Sequence, residues 1–163
     1  VKTLIVVRHA QAAPSSAGGG DFSRHLTEQG EREAISIGGQ LAERRLLVQQ
    51  VVCSDALRAL ATAELLAREL GLSRGDIETS PLLYSATVRD WLQVIHDLPS
   101  HSDSVVLVGH NPSVAELRSR LVGPSALATP PGAVAILHFD ADDWRDIEHA
   151  IPHDTELLRP ARD

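Results

Sequence analysis

The sequence predicts an α/β layer fold with a mostly parallel central sheet and an antiparallel edge. Short strand-like runs alternate with stretches of helical periodicity, the pattern of strands joined by crossover helices. Three of the runs, at 3–7, 50–54 and 104–108, are apolar almost throughout, as strands buried on both faces must be. The last two strand-like runs flank a short acidic turn, which suits an antiparallel pair.

The elements follow in order. The first strand is Thr3 to Val7, and the small-residue loop "AAPSSAGGGDFS" comes after it. Thr27 is placed to cap a helix in which Ala34, Ile37, Gly38 and Leu41 recur at helical spacing. Gln50 to Ser54 is a second buried strand. Asp55 stands where it can cap the next helix, "ALRALATAELLAREL", and Gly71 is its natural stop. A weaker strand covers Ile77 to Leu83. Trp91, Leu92, Ile95 and Leu98 then mark a helix closed by Pro99. Ser104 to Val108 is the third strong strand and runs into "GHNP", where Asn111 suits an N-cap and Pro112 the first helical position. Finally "GAVAILHF" and "WRDIEHAI" read as two strands around the turn Asp140-Ala141-Asp142-Asp143.

At 163 residues the chain reads as a single domain, 1–163, able to bury roughly two-thirds of the surface its unfolded form exposes. It is 43% hydrophobic and 23% charged, with two Trp, two Phe and one Tyr, so an aliphatic core is expected. A net charge of -7 argues against a generic nucleic-acid binder, which needs a basic face. No apolar run approaches the roughly 20 residues of a membrane span, and no signal-peptide architecture precedes the first strand. The single cysteine, Cys53, rules out an intrachain disulfide and fits a reducing compartment. The expected location is therefore cytoplasmic, without membrane or nucleic-acid partners.

The three buried strands end in residues that a core would not choose: Arg8-His9, then Ser54 with Arg58 four residues on, then Gly109-His110-Asn111. Each alone reads equally well as a surface residue just past a strand. In open α/β sheets, however, ligands collect outside the carboxyl ends of the strands, so the three ends are expected to face one crevice. Arg8 and Arg58 offer planar forks that match phosphate oxygens, and the helix after Asn111 offers free backbone N–H groups, so the expected ligand is a phosphoryl group. Neighbouring arginines should lower the pKa of a histidine there, leaving a neutral imidazole competent as a nucleophile. His9 is the better nucleophile candidate, with His110 donating to the phosphoryl oxygens.

Arg8-His9-Ala10, "DFSRHLTEQG" at 21–30, "SDALR" at 54–58 followed by Thr62-Ala63, and "GHNP" at 109–112 together resemble the histidine phosphatase superfamily. Within this phosphoglycerate mutase-like group they are most similar to the short bacterial branch of SixA-like phosphohistidine phosphatases. The resemblance implies a three-layer α/β/α sandwich, His9 as phospho-accepting nucleophile, and a phosphate pocket made of Arg8, Arg58 and His110, with Asn111 beside it. It implies no metal and no other cofactor. The implied partner is a phosphorylated protein, for example a histidine phosphotransfer domain, or a small phosphoester. Asp21, Arg24, Leu26, Thr27 and Gly30 match the D-x-x-R-x-L-T-x-x-G segment, read mainly as a loop and helix cap, with Asp21 and Arg24 as a substrate rim. Ala10 stands where the family usually has Gly, and Gln11 where many larger members have Glu.

Larger members also carry an acid after the third strand or helix, to protonate the leaving group. Here "SPLLYSATVRDWLQ" holds only Asp90, better explained as a favourable first-turn charge. The missing acid suits phosphohistidine, whose P–N bond is more labile than an ester, and disfavours a mutase. Asp21 or Glu28 could still approach from the glycine-rich loop, of which Ala12 to Ser23 reads as a mobile rim. Two other functions remain open: a small-molecule phosphomonoesterase, and a catalytically idle phosphate- or phosphoprotein-binding module. His149 and His153 have the i, i+4 spacing of a metal pair, but Pro152 lies between them. Cys53 reads as packing.

Overall fold

A computed structural model of the chain describes residues 1–15, 19–124 and 129–161. Part of the expected mobile rim, Ser16 to Gly18, lies outside the described residues. Six strands form one sheet: β1 (Lys2–Arg8), β2 (Gln50–Ser54), β3 (Ile77–Ser80), β4 (Ser104–Gly109), β5 (Val134–Phe139) and β6 (His153–Leu158), in the spatial order β3-β2-β4-β1-β5-β6. The first four in that order run parallel, and β5 pairs antiparallel with β1 and with β6.

Four α-helices cover the sheet: α1 (Glu28–Glu43), α2 (Leu57–Glu69), α3 (Val88–His96) and α4 (Ser113–Val122). The two-residue period of the strands sorts their apolar side chains between two cores. Ile5, Val7, Val51, Cys53, Val106 and Val108 pack with Ile37 and Leu41 of α1 and Ala63 and Leu66 of α2. Leu4, Val6, Val52 and Leu107 pack on the other face with Trp91 and Ile95 of α3 and Leu117 of α4. Three layers result, α/β/α. Both faces of β1 and β4 are covered, which is why these strands contain no polar alternation.

The predicted strands β1, β2 and β4 lie within a residue of their expected bounds, and the Thr27 hydroxyl accepts from Gly30 N–H as the expected cap. Four local expectations change. Ala56, not Asp55, is the N-cap of α2 and makes no side-chain cap; the Ser54 hydroxyl accepts from Ala56 N–H at 3.2 Å. The weak strand stops at Ser80, since Pro81 has no N–H for the ladder and opens a 3-10 turn, Pro81–Leu83. Asn111 does not cap α4; its amide binds Thr129, and Pro112 takes the cap position. The segment Trp144–His149 is a 3-10 helix, not a strand: Trp144 and Ile147, three residues apart, fall on one face and are fully buried. The edge strand is the next segment, β6, where Pro152 marks the entry.

Register positions the chemistry. Arg8 of β1 lies opposite Gly109 of β4, and Cys53 of β2 lies opposite Val108. The carboxyl ends of three adjacent strands therefore stop at one level, and the residues just beyond them meet.

Candidate active site

His9 leaves β1 held on both sides. Its N–H donates to Gly109 O at 2.9 Å, and Gly132 N–H reaches both Arg8 O and His9 O at 3.1 Å. The next residue, Ala10, is fully buried and donates its N–H to the Thr62 hydroxyl at 3.1 Å. The methyl that replaces the family's usual glycine is thus accommodated. The tight fit falls instead on Gly30, where a Cβ would strike the Gln11 carbonyl.

The imidazole of His9 sits 2.7 Å from Ala10 O through Nδ1. A carbonyl can only accept, so Nδ1 carries the proton and the lone pair is on Nε2. Arg58 Nε donates to that lone pair at 3.3 Å. Burial pushes the His9 pKa down to about 4; the Ala10 carbonyl partly offsets this, and Arg58, Arg8 and Arg24 push it lower. The neutral ring expected from arginine charge is found, with loss of hydration as the larger cause.

His110, at the end of β4, lies with its ring 5.1 Å from that of His9. Its Nε2 is 2.8 Å from Ser54 Oγ at the end of β2. That hydroxyl also accepts from Ala56 N–H and keeps a second lone pair; when it donates to His110 Nε2, the ring proton lies on Nδ1. Burial, followed by the neighbouring His9 and Arg58, pushes the His110 pKa down to about 3. Two buried nitrogens of the cluster, His110 Nδ1 and Arg8 Nε, have no hydrogen-bond partner among the described residues. Buried polar groups are rarely left so, and an anion would supply the missing acceptors. Arg8 is steadied from the side by Thr129 O at 2.9 Å, and Asn111 Nδ2 holds the same Thr129 through its hydroxyl at 2.8 Å. Asn111 thus meets the cluster through Thr129.

Asp21 and Arg24 arrive from the segment before α1. Arg58 reaches Asp21 twice, through Nη1 to the main-chain O at 2.8 Å and through Nη2 to Oδ2 at 3.0 Å. Tyr84 O–H donates to the same carboxylate at 2.7 Å, and Arg24 Nη1 at 3.1 Å. The Tyr84 and Arg24 hydrogen bonds hold the Asp21 carboxyl well below the usual carboxylate range, so it has already given up its proton. Asp90 is spent elsewhere: it forms a capping box with Thr87 at the start of α3. The sequence alone assigns Tyr84 and Thr129 no part in the site, and names Thr62 only as a member of the matched motif.

Among the described residues no group of three or more His, Cys, Asp or Glu side chains is arranged to hold a metal ion. His149 lies in the 3-10 helix, whereas His153 belongs to β6 and stacks on His138 with ring centroids 6.1 Å apart. Burial pushes the Cys53 thiol up to about 12, so it packs as a small apolar group.

The family model described as histidine phosphatase superfamily (branch 1) matches residues 4–91. A curated relative is the mitochondrial serine/threonine-protein phosphatase Pgam5 of Drosophila grimshawi, 29% identical over 80 residues, which are 49% of this chain and 27% of that protein. The chain thus spans about a quarter of that relative's length. An uncharacterized protein of Mycobacterium tuberculosis is 29% identical over 152 residues, covering 87% of this chain and 92% of that one. Among solved structures, SixA from Agrobacterium tumefaciens, assigned as a phosphohistidine phosphatase, superposes with a TM-score of 0.82 at 27% identity, covering 98% of this chain and 99% of that one. No helix among the described residues is long and apolar enough to cross a membrane.

Proposed function

The chain belongs to the histidine phosphatase superfamily (branch 1), and on that premise we propose that it is a phosphatase that works through phosphorylated His9, with phosphohistidine on a protein as its substrate. The observation that carries this reading is the fixed tautomer of His9. The proton on Nδ1 is tied to Ala10 O, the lone pair on Nε2 faces Arg58, and the ring is neutral at physiological pH. A nucleophile mounted on the end of a buried central strand approaches phosphorus with little freedom to lose.

In the first step the bond from His9 Nε2 to phosphorus forms as the bond from phosphorus to the leaving group breaks. Arg8, Arg58 and His110 take the phosphoryl oxygens, whose charge grows in transfer. The unpartnered Arg8 Nε and His110 Nδ1 support that role. In the second step water attacks phospho-His9, releasing inorganic phosphate and restoring the imidazole. The positive charge comes from side chains, so no metal is required. The substrate preference follows from the two acids weighed for the part: Asp21 is ionised and Asp90 belongs to a helix cap, so neither stands ready to protonate an alkoxide. An imidazole that carries a proton on its second ring nitrogen leaves as a neutral ring, so phosphohistidine needs no acid from the protein.

The test is phosphate release from a phosphohistidine-bearing protein, beside 4-nitrophenyl phosphate and a sugar phosphate, with His9→Ala as control. The expected result is turnover of the first two and not the third, loss of all turnover in the variant, and trapping of an acid-labile phosphohistidine at position 9 in the wild type. Brisk hydrolysis of the sugar phosphate would overturn the phosphohistidine preference. Anion binding without any turnover would replace the enzyme by a binding module.

A further inference from the structure

The chain has only five aromatic residues of the Phe, Tyr and Trp types. Trp91, Trp144 and Phe139 are completely buried in the core. The other two, Phe22 and Tyr84, come from segments far apart in the chain, the 3-10 turn Asp21–Ser23 and the residue after Pro81–Leu83, and both stand at the active site. Their ring centroids are 5.2 Å apart, edge to face at 76°. Tyr84 in turn lies edge-on to His110, 5.6 Å away at 88°. A row of rings thus leads from His9 and His110 out to Phe22, which is 46% exposed. A phenyl ring half in water contributes little to folding, whereas such a ring beside a reaction centre offers a face for stacking. The ionised carboxylate of Asp21 closes the side of the row, bonded to Tyr84 and Arg58.

From this juxtaposition we propose that Phe22 and Tyr84, with the Asp21 carboxylate, form a leaving-group subsite that selects planar aromatic groups, above all an imidazole ring bearing an N–H. The proposal rests on His9 being the phosphoryl acceptor. With a phosphoimidazole, the P–N bond breaks as the His9 Nε2–P bond forms. The bonding pair stays on the departing ring nitrogen while the other ring nitrogen keeps its proton. The ring leaves as neutral imidazole, and no proton has to be supplied. An acceptor such as Asp21 beside that second N–H favours the protonated, better-leaving form.

The test compares two substrates with the same P–N bond, phosphoimidazole with a ring and phosphoramidate without one, in the wild type and in Phe22→Leu, Tyr84→Leu and Tyr84→Phe. The ratio of kcat/KM for phosphoimidazole over phosphoramidate is expected to fall about fivefold to tenfold in both leucine variants, the size of one aromatic pairing. Most of it should return in Tyr84→Phe, which restores the ring without the hydroxyl. Equal losses on both substrates, or an unchanged ratio, would show that the rings only hold the loop in place and overturn the proposal. Failure of the wild type to form phospho-His9 from either substrate is a separate result, read by labelling, and would remove the His9 reading on which the subsite depends.

Discussion

Ala10 O decides what His9 can do, because one carbonyl acceptor settles which ring nitrogen keeps the proton. Burial then keeps the ring neutral. The reactive form is the unprotonated one, so activity should persist above the folded-state pKa and fall below it. The acid limb of kcat/KM for 4-nitrophenyl phosphate, corrected for the ionisation of the substrate, is expected near the His9 value of about 4 rather than at the ordinary 6.5. A pH profile locates it; a limb at the ordinary value would mean a His9 in contact with water. At this scale Arg8, His9, Arg58 and His110 were readable, since charged and titratable residues just past apolar strands stand out against a core. Tyr84 and Thr129 were not, because their partners Asp21 and Arg8 are brought to them only by the folded loops.

Helix α1 shows how a motif glycine differs from an incidental one. A Cβ on Gly30 would meet the Gln11 carbonyl, a backbone atom directly behind the His9 segment that cannot move aside, whereas a Cβ on Gly39 meets nothing within 4 Å. Gly30→Ala is therefore expected to destabilise the protein by about 1–3 kcal/mol, as overpacking does. Gly39→Ala should stabilise it by about 0.5–1 kcal/mol through helix propensity. Urea titrations of the two variants separate these outcomes, and similar effects from both would contradict the close approach. The strands and the Thr27 cap were legible because their signals are local: apolar runs, and a threonine ahead of a periodic segment. The 3-10 helix Trp144–His149 was not, since its few residues show no period long enough to tell a turn from a strand.

Across the whole molecule the buried histidines couple stability to pH. The unfolded chain binds protons at His9 and His110 near the ordinary value of 6.5, while the folded protein resists them until about 4 and about 3. The unfolded state therefore holds more protons between those limits, so stability rises with pH there and is lost as pH falls from about 6.5 toward 4. Unfolding free energies measured across that window should decline toward acid, and the decline should be shallower in the His9→Asn/His110→Asn double variant. An equal slope in both proteins would place the pH-sensitive groups elsewhere.

The sequence by itself determined the class of the fold and the ends of the strands where chemistry would sit, because burial on two faces writes an unbroken apolar run and a functional residue interrupts it. The order β3-β2-β4-β1-β5-β6 and the matching of Arg8 with Gly109 were decided only by the tertiary structure. So were the burial that is the larger cause of the neutral His9 ring and the meeting of Phe22, Tyr84 and Asp21. Each depends on which distant segments exclude water from a given atom, and that is a property of packing in three dimensions.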